Sequence, residues 1–432
     1  AIIAQIVNVL YNMVDRMYIG HMASHGPEAL TGLGVAFPII MVVSAFAYLV
    51  SMGGAPRAAI MMGRGDKDAA EKILGNCATG LVLISAALTV LVLVFGDKLL
   101  MLFGGSANTI GYASDYLRIY ACGTIFVQLA LGLNAFISTQ GFARESMLTV
   151  VIGAVANMIL DPIFIFGFNM GVRGAAWATI ISQGISAVWV ILFLTGKKTN
   201  LRIRREYLKI DWGVFLPCLA LGLSPFIMQS TESVIAVCFN SSLLKYGGDL
   251  SVGAMTILSS VMQFSMLPLM GLSQGAQPIM SYNYGARNVS RMKESFGLLL
   301  KSSLVYAAAL WAAVMLFPQV FAGIFTTAPD LIRSTVSALR TYMAASLLFG
   351  IQISCQQTFI ALGNAKASIF LAVLRKIILL IPLIFILPLF LQDKVRAVFL
   401  AEPVADVIAV SVTGIMFAVQ FKRLLRKIEG PP

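Results

Sequence analysis

The chain has 432 residues, 59% apolar and only 12% charged, about half of the ~25% charge usual in a soluble domain. A single core cannot hide that much apolar surface from water, which excludes a soluble enzyme and a disordered chain. The net charge of +12 does not point to nucleic acid, because the basic residues cluster at the ends of apolar runs. Such a composition belongs to an α-helical protein that crosses a membrane many times.

A bilayer span takes about 20 apolar residues. Twelve runs qualify: 1–20, 29–56, 73–95, 112–138, 146–168, 174–196, 214–240, 252–282, 296–322, 335–361, 367–391 and 397–421. None shows the sustained alternation of a β-barrel strand. The chain opens on Ala1 inside an apolar run, so further residues are expected to precede it. No cleaved signal peptide is evident. The five cysteines lie in apolar stretches with no C-x-x-C spacing and are read as small buried hydrophobes.

Carboxylates and amides within apolar spans are costly, so they are functional candidates. In span 1, Gln5, Asn8, Asn12 and Asp15 recur at helical spacing on one face, with Tyr11 beside them. Phe37 follows in span 2 as an aromatic wall. In span 5, Asn157 and Asp161 stand one turn apart, and Pro162 removes the backbone bond to the Met158 carbonyl. Span 6 adds Thr179, Ser182 and Gln183. Two carboxylates, an amide, a hydroxyl and spare carbonyls suit a hard cation or a shared proton. The alternative is structural: Asp15 pairs with Arg16, and Asn157 and Asp161 bond neighbouring helices. No metal site beyond Na⁺ and no cofactor is expected.

Between spans 6 and 7, residues 196–205 form the longest basic stretch. It reads as a solvated connector near anionic lipid headgroups. Beyond it, Gln229 and Glu232 share a face of span 7 beside Met228. Gln263 and Met266 lie in span 8, Gln352 and Gln356 in span 10. All are candidates for lining a substrate cavity. Glu402 and Asp406 flank Pro403 in span 12 as secondary acids, with Arg396 or Arg340 as the expected partner. Gly271-Leu272-Ser273-Gln274-Gly275 imitates a nucleophile elbow, but in an apolar helical run. Both histidines, His21 and His25, fall in the first loop, so no general base serves Ser273 and enzymatic activity is not expected.

Most of the 31 basic residues fall on one side if both termini are cytoplasmic, with Arg375 and Lys376 assigned to a cytoplasmic span end. Met61–Lys67 matches Ser281–Arg287, Tyr116–Tyr120 matches Ala338–Tyr342, and Gln140–Arg144 matches Leu362–Lys366, all displaced by about 220 positions. Six spans per half make these parallel repeats about an axis along the membrane normal. The expected fold is therefore all-α, with twelve transmembrane helices in two six-helix lobes. The boundaries are 1–196 for the first lobe, 197–213 for the basic linker and 214–432 for the second lobe with its basic tail.

Several runs carry a resemblance to one family. Asn157-Met158-Ile159-Leu160-Asp161-Pro162 in span 5, Val172-Arg173-Gly174-Ala175-Ala176-Trp177 in span 6, Val14-Asp15-Arg16-Met17-Tyr18 in span 1 and Gln277-Pro278-Ile279-Met280-Ser281-Tyr282-Asn283 in span 8 resemble the MATE (multidrug and toxic compound extrusion) family. The branch is similar to the bacterial MepA-like and DinF-like exporters. The resemblance implies H⁺- or Na⁺-driven efflux of lipophilic, often cationic, compounds across the bacterial plasma membrane by a monomer among lipids. It maps a first-lobe cation site onto Asp15, Asn157, Asp161 and Thr179, with the Ala175 carbonyl as a further ligand. It also implies second-lobe acids in spans 7 and 10, where this chain has Glu232 but only glutamines in span 10. The rival reading is a flippase for a lipid-linked precursor. That activity needs a basic cavity for pyrophosphate, for which Arg16, Arg57 and Arg375 are the candidates.

Overall fold

The structure is a computed structural model that describes residues 1–430. No strand occurs among these residues. They divide into two compact units, 3–229 and 230 onward.

The first unit contains α1 (Ile2–Gly20), α2 (Gly26–Gly63), α3 (Lys67–Leu102), α4 (Ile110–Cys122), α5 (Thr124–Thr139), α6 (Ala143–Pro162) and α7 (Val172–Thr195). Helix α8 (Trp212–Gly285) begins here and runs into the second unit. The second unit continues with α9 (Val289–Leu316), α10 (Pro318–Phe325), α11 (Pro329–Tyr342), α12 (Phe349–Ala361), α13 (Ala365–Val373), α14 (Ile381–Phe390) and α15 (Lys394–Glu429).

Eight helical stretches are long and apolar enough to cross a membrane, and ten if each of two bent pairs counts as one span. Helix α8 accounts for two of the expected spans: its 74 residues break at Gly248, whose φ of 65° suits glycine. With α1, the twelve expected spans all have a helical counterpart. Exposed apolar side chains such as Val94 and Leu192 in the first unit and Val305 and Ile415 in the second form surfaces suited to lipid, not water.

The repeat is visible in local geometry. Gly65 (φ 79°) is followed by Asp66, whose carboxylate caps α3 by accepting from the Ala69 N–H at 3.0 Å. In the second unit Arg287 (φ 56°) is followed by Asn288, which caps α9 by accepting from the Arg291 N–H at 3.1 Å. The bend of 59° between α4 and α5 has its counterpart in the 45° bend between α11 and α12.

Helices α2 and α8 approach backbone to backbone. A Cβ on Gly53 would fall 1.7 Å from the Cys218 carbonyl oxygen, and one on Gly222 would fall 1.7 Å from that of Leu49. Only residues without side chains permit such a crossing.

The basic connector is not simply solvated. Gln140 Oε1 accepts from the Asn200 and Leu201 amides at 2.8 and 2.9 Å and from the Thr199 hydroxyl at 3.0 Å. Asn76 Oδ1 accepts from the Asp211 N–H at 2.7 Å, and Lys72 pairs with Asp211 at 2.7 Å. Glu71, fully buried on α3, lies against Arg204 and 3.7 Å from Lys67. A buried carboxylate needs a countercharge, and the connector supplies it. The cysteines are all free; Cys77, Cys218 and Cys355 are buried, whereas Cys122 is exposed, contrary to the reading of all five as buried.

Candidate cation site and the second-unit ion cluster

In the first unit, α1 contributes Asp15, α6 contributes Asn157 and Asp161, and α7 contributes Ala175 and Thr179. One helical turn separates Asn157 from Asp161, so the Asn157 Nδ2 donates to Asp161 Oδ2 at 3.1 Å. Pro162 ends the regular helix, and a π-helical turn, Ile163–Gly167, follows directly. Such turns widen the backbone and recur at functional sites. The carboxyl groups of Asp15 and Asp161 are near neighbours.

All three side chains are buried. Among the described residues, Asp15 Oδ1, Asn157 Oδ1 and Asp161 Oδ1 have no hydrogen-bond partner. Buried oxygens left in this way call for an explanation, and a bound cation or proton is one. The oxygen-only set fits H⁺ or Na⁺.

Thr179 and Ala175 stand at the edge of this cluster. The Thr179 hydroxyl donates to the Ala175 carbonyl at 2.9 Å and lies 3.5 Å from the Tyr116 hydroxyl. Tyr11 lies one helical turn before Asp15 on α1, and Tyr116 reaches the Thr179 hydroxyl from α4. Tyr116 escapes sequence reasoning because α4 is remote in sequence and tyrosine is common in spans. Arg16 does not pair with Asp15; it is exposed and its guanidinium lies 4.6 Å from the centre of the Phe37 ring. Asn12 Nδ2 donates to the Asn8 carbonyl at 2.7 Å, and Gln5 and Asn8 are partly buried. Gln229 Nε2 donates to Met41 Sδ at 3.3 Å, and Met228 is partly buried close by in sequence.

The second unit carries an ion cluster. Helix α13 passes into a π-helical turn, Leu374–Leu380, that holds two consecutive basic residues. Arg375 lies 2.8 Å from Asp406 and 3.5 Å from Glu402, both buried on α15. Lys376 lies 2.6 Å from Glu232, whose side chain is exposed while the lysine is buried. Three carboxylates thus face two cations. The partner of Glu402 and Asp406 is Arg375, not Arg396 or Arg340. Nor do Arg375 and Lys376 sit at a span end: Arg375 is ten residues into the stretch from Ala365, or ~15 Å along a helix. That depth is the signal that could have identified it, since a basic residue there needs an acid partner.

Gln352 and Gln356 are buried and hydrogen-bonded to each other at 3.0 Å, and Gln352 also accepts from Thr413 at 2.9 Å. Gln263 is exposed and Met266 partly buried. Ser273 lies within α8 and donates to the Met270 carbonyl at 2.9 Å, with no strand-to-helix turn.

The family model MatE matches residues 1–163 and 225–386. The chain is 26% identical over 409 residues to the multidrug export protein MepA of Staphylococcus haemolyticus, covering 94% of this chain and 89% of that protein. It is 25% identical over 390 residues to MepA of Staphylococcus aureus, covering 89% and 84%. Among solved structures, the MATE multidrug transporter DinF-BH is 35% identical, with a TM-score of 0.89 over 96% of this chain and 93% of that one. A MATE structure in a bent conformation gives a TM-score of 0.93 at 23% identity, covering 99% and 95%, a likeness of fold alone. With twelve helical spans, a matching family model over most of its length and these relatives, the chain belongs to the MATE family of membrane transporters.

Proposed function

We propose that this transporter exports lipophilic, cationic compounds in exchange for H⁺ or Na⁺ by alternating access. The observation that carries the reading is the group of three unpartnered buried oxygens on Asp15, Asn157 and Asp161 next to a π-helical turn. Two carboxylates this close in a dry interior repel unless a proton or cation lies between them. Asp15 and Asp161 would hold that charge, and Asn157 would complete the oxygen set. The ion can drive transport only by binding the alternating states unequally. The π-helical turn after Pro162 is a place where α6 can bend as the site fills and empties.

The multidrug names of the MepA and DinF-BH relatives support drug-like substrates. The proposed setting is the bacterial plasma membrane, with both termini in the cytoplasm, a monomeric transporter and lipids as neighbours. Of the three arginines that the flippase reading needs, Arg375 is neutralised by Asp406 and Glu402, which weakens that reading, whereas Arg16 and Arg57 form no ion pair among the described residues.

The test is efflux of a fluorescent lipophilic cation from proteoliposomes under a pH gradient or a Na⁺ gradient, imposed separately. Transport under one gradient names the coupling ion, and Asp161→Asn should abolish coupled efflux while the protein remains folded. Wild-type efflux by that variant, or no efflux under either gradient, would overturn the proposal.

A further inference from the structure

A cavity of about 440 Å³ lies in the second unit, away from the ion cluster, between α10, α11 and the start of α15. It is a shallow depression open to the surface, and the basic side chains that line it are exposed. Arg333 and Arg340 stand seven residues apart on one face of α11, and Arg396 comes from the first turn of α15. All three line the cavity. Gln319, Ser337 and Thr341 add an amide and two hydroxyls.

None of the three arginines forms an ion pair among the described residues, although nine ion pairs are present. The nearby acids in sequence do not neutralise them. Asp393 accepts from the Arg396 backbone N–H at 3.1 Å as a helix cap, and Asp330 pairs with none of the three. Arg340 donates from Nε to the Met315 carbonyl at 3.2 Å, which leaves its terminal nitrogens available. Three exposed guanidiniums lining one depression raise the local positive potential and attract an anion. Guanidinium forks match phosphate oxygens in pairs, and such charge-assisted bonds are the strong ones.

The surroundings define the ligand further. Helix α10, which supplies Gln319, exposes Val320 and Ile324, and Leu316 at the end of α9 is exposed as well. An apolar strip therefore adjoins the basic cavity. A phosphate group with acyl chains attached would satisfy both at once. The opposite ends of α9 and α15 are joined by the Lys293–Glu429 pair, so the cavity lies at the other end of these helices.

We infer that this cavity binds a phosphate-bearing anion, with Arg333, Arg340 and Arg396 as its ligands and an anionic phospholipid headgroup or a free phosphate as its source. The inference does not depend on the drug–cation exchange reading, because its readout is binding, not transport.

The experiment uses the full chain purified in detergent and stripped of lipid. The thermal unfolding midpoint is measured against added dihexanoyl phosphatidylglycerol, dihexanoyl phosphatidylcholine and inorganic phosphate. The expected result is a saturable rise in midpoint with phosphatidylglycerol and none with phosphatidylcholine. R333Q/R396Q should weaken the apparent affinity at least tenfold. The control K98Q/K197Q, which loses the same charge in the first unit, should not. S337D, which places a carboxylate in the cavity, should reproduce the loss and serves if the arginine variant unfolds. A rise with inorganic phosphate that needs the same arginines supports the site and names the free anion as a source. Equal stabilisation by both lipids, or wild-type response in R333Q/R396Q and S337D, would overturn it.

Discussion

Replacing Arg375 is the sharpest test of how the second unit holds its charges. The guanidinium lies 2.8 Å from Asp406 and 3.5 Å from Glu402, with side-chain exposures of 15%, 2% and 5%. At an effective dielectric constant of ~20, charges at those separations attract by about 6 and about 5 kcal/mol before desolvation. Desolvation cancels much of this, so the cluster contributes little beyond an apolar equivalent. Removing one member is different: the remaining buried charges lose their partner, at a cost of about 3–5 kcal/mol. Arg375→Gln should therefore lower the thermal unfolding midpoint clearly, measured on purified protein in one detergent. Adding Asp406→Asn should recover part of the loss, and adding Glu402→Gln as well should recover most of it. A wild-type midpoint in Arg375→Gln, or a neutral triple variant less stable than the single one, would refute the reasoning.

Three further outcomes concern the first unit, one of them compared with a glycine of α9 in the second. Glu71→Gln removes the buried charge that faces Arg204 and Lys67; it should cost about 1–3 kcal/mol and speed tryptic cleavage at Arg202, Arg204 and Arg205 several-fold, whereas an unchanged cleavage rate would show that the connector is held without it. Gly222→Ala places a methyl 1.7 Å from the Leu49 carbonyl and should destabilise by about 1–3 kcal/mol. Gly297→Ala in α9 meets open space and should be neutral or stabilising by about 0.5–1 kcal/mol; equal effects of the two would contradict the close crossing. The Lys72 ammonium, with the Gly213 N–H, holds the Asp211 carboxyl below the usual carboxylate range. Because the folded value is depressed, its contribution is present above the unfolded pKa of ~3.9 and fades as pH falls through the folded value. Peptic cleavage of the connector should therefore begin at a higher pH in Lys72→Gln than in the wild type, and coincident profiles would remove Asp211 from the account.

Much of the architecture is readable along the chain. A span is a local property: about 20 apolar residues demand helix in a bilayer whatever they pack against. Asn157 and Asp161 are equally local, since one turn of helix brings them together and Pro162 marks the end of the regular backbone. The recurrence of Gly65-Asp66 as Arg287-Asn288, two left-handed residues each followed by a helix cap, is a turn repeated from its own chemistry.

Pairings between distant segments are different. Periodicity says which face of a helix is polar but not what that face meets. Arg396 and Arg340 are reasonable partners for Glu402 and Asp406 by sequence, yet Arg375 holds both, because its π-helical turn sets it beside the first half of α15. The basic connector reads as solvated because its charges dominate, yet Leu201 is fully buried with Ile203 and Ile210 packed against the same core, and its polar anchors, Glu71, Asn76 and Gln140, lie far away in sequence. Gln352 and Gln356 share a face fit for a cavity, but they satisfy each other and Thr413 inside the second unit. Helix formation, span number and the polar stripes follow from chemistry within a few turns of chain. Which charges neutralise each other, and which arginines remain without an acid, depends on distances that exist only once the helices have packed.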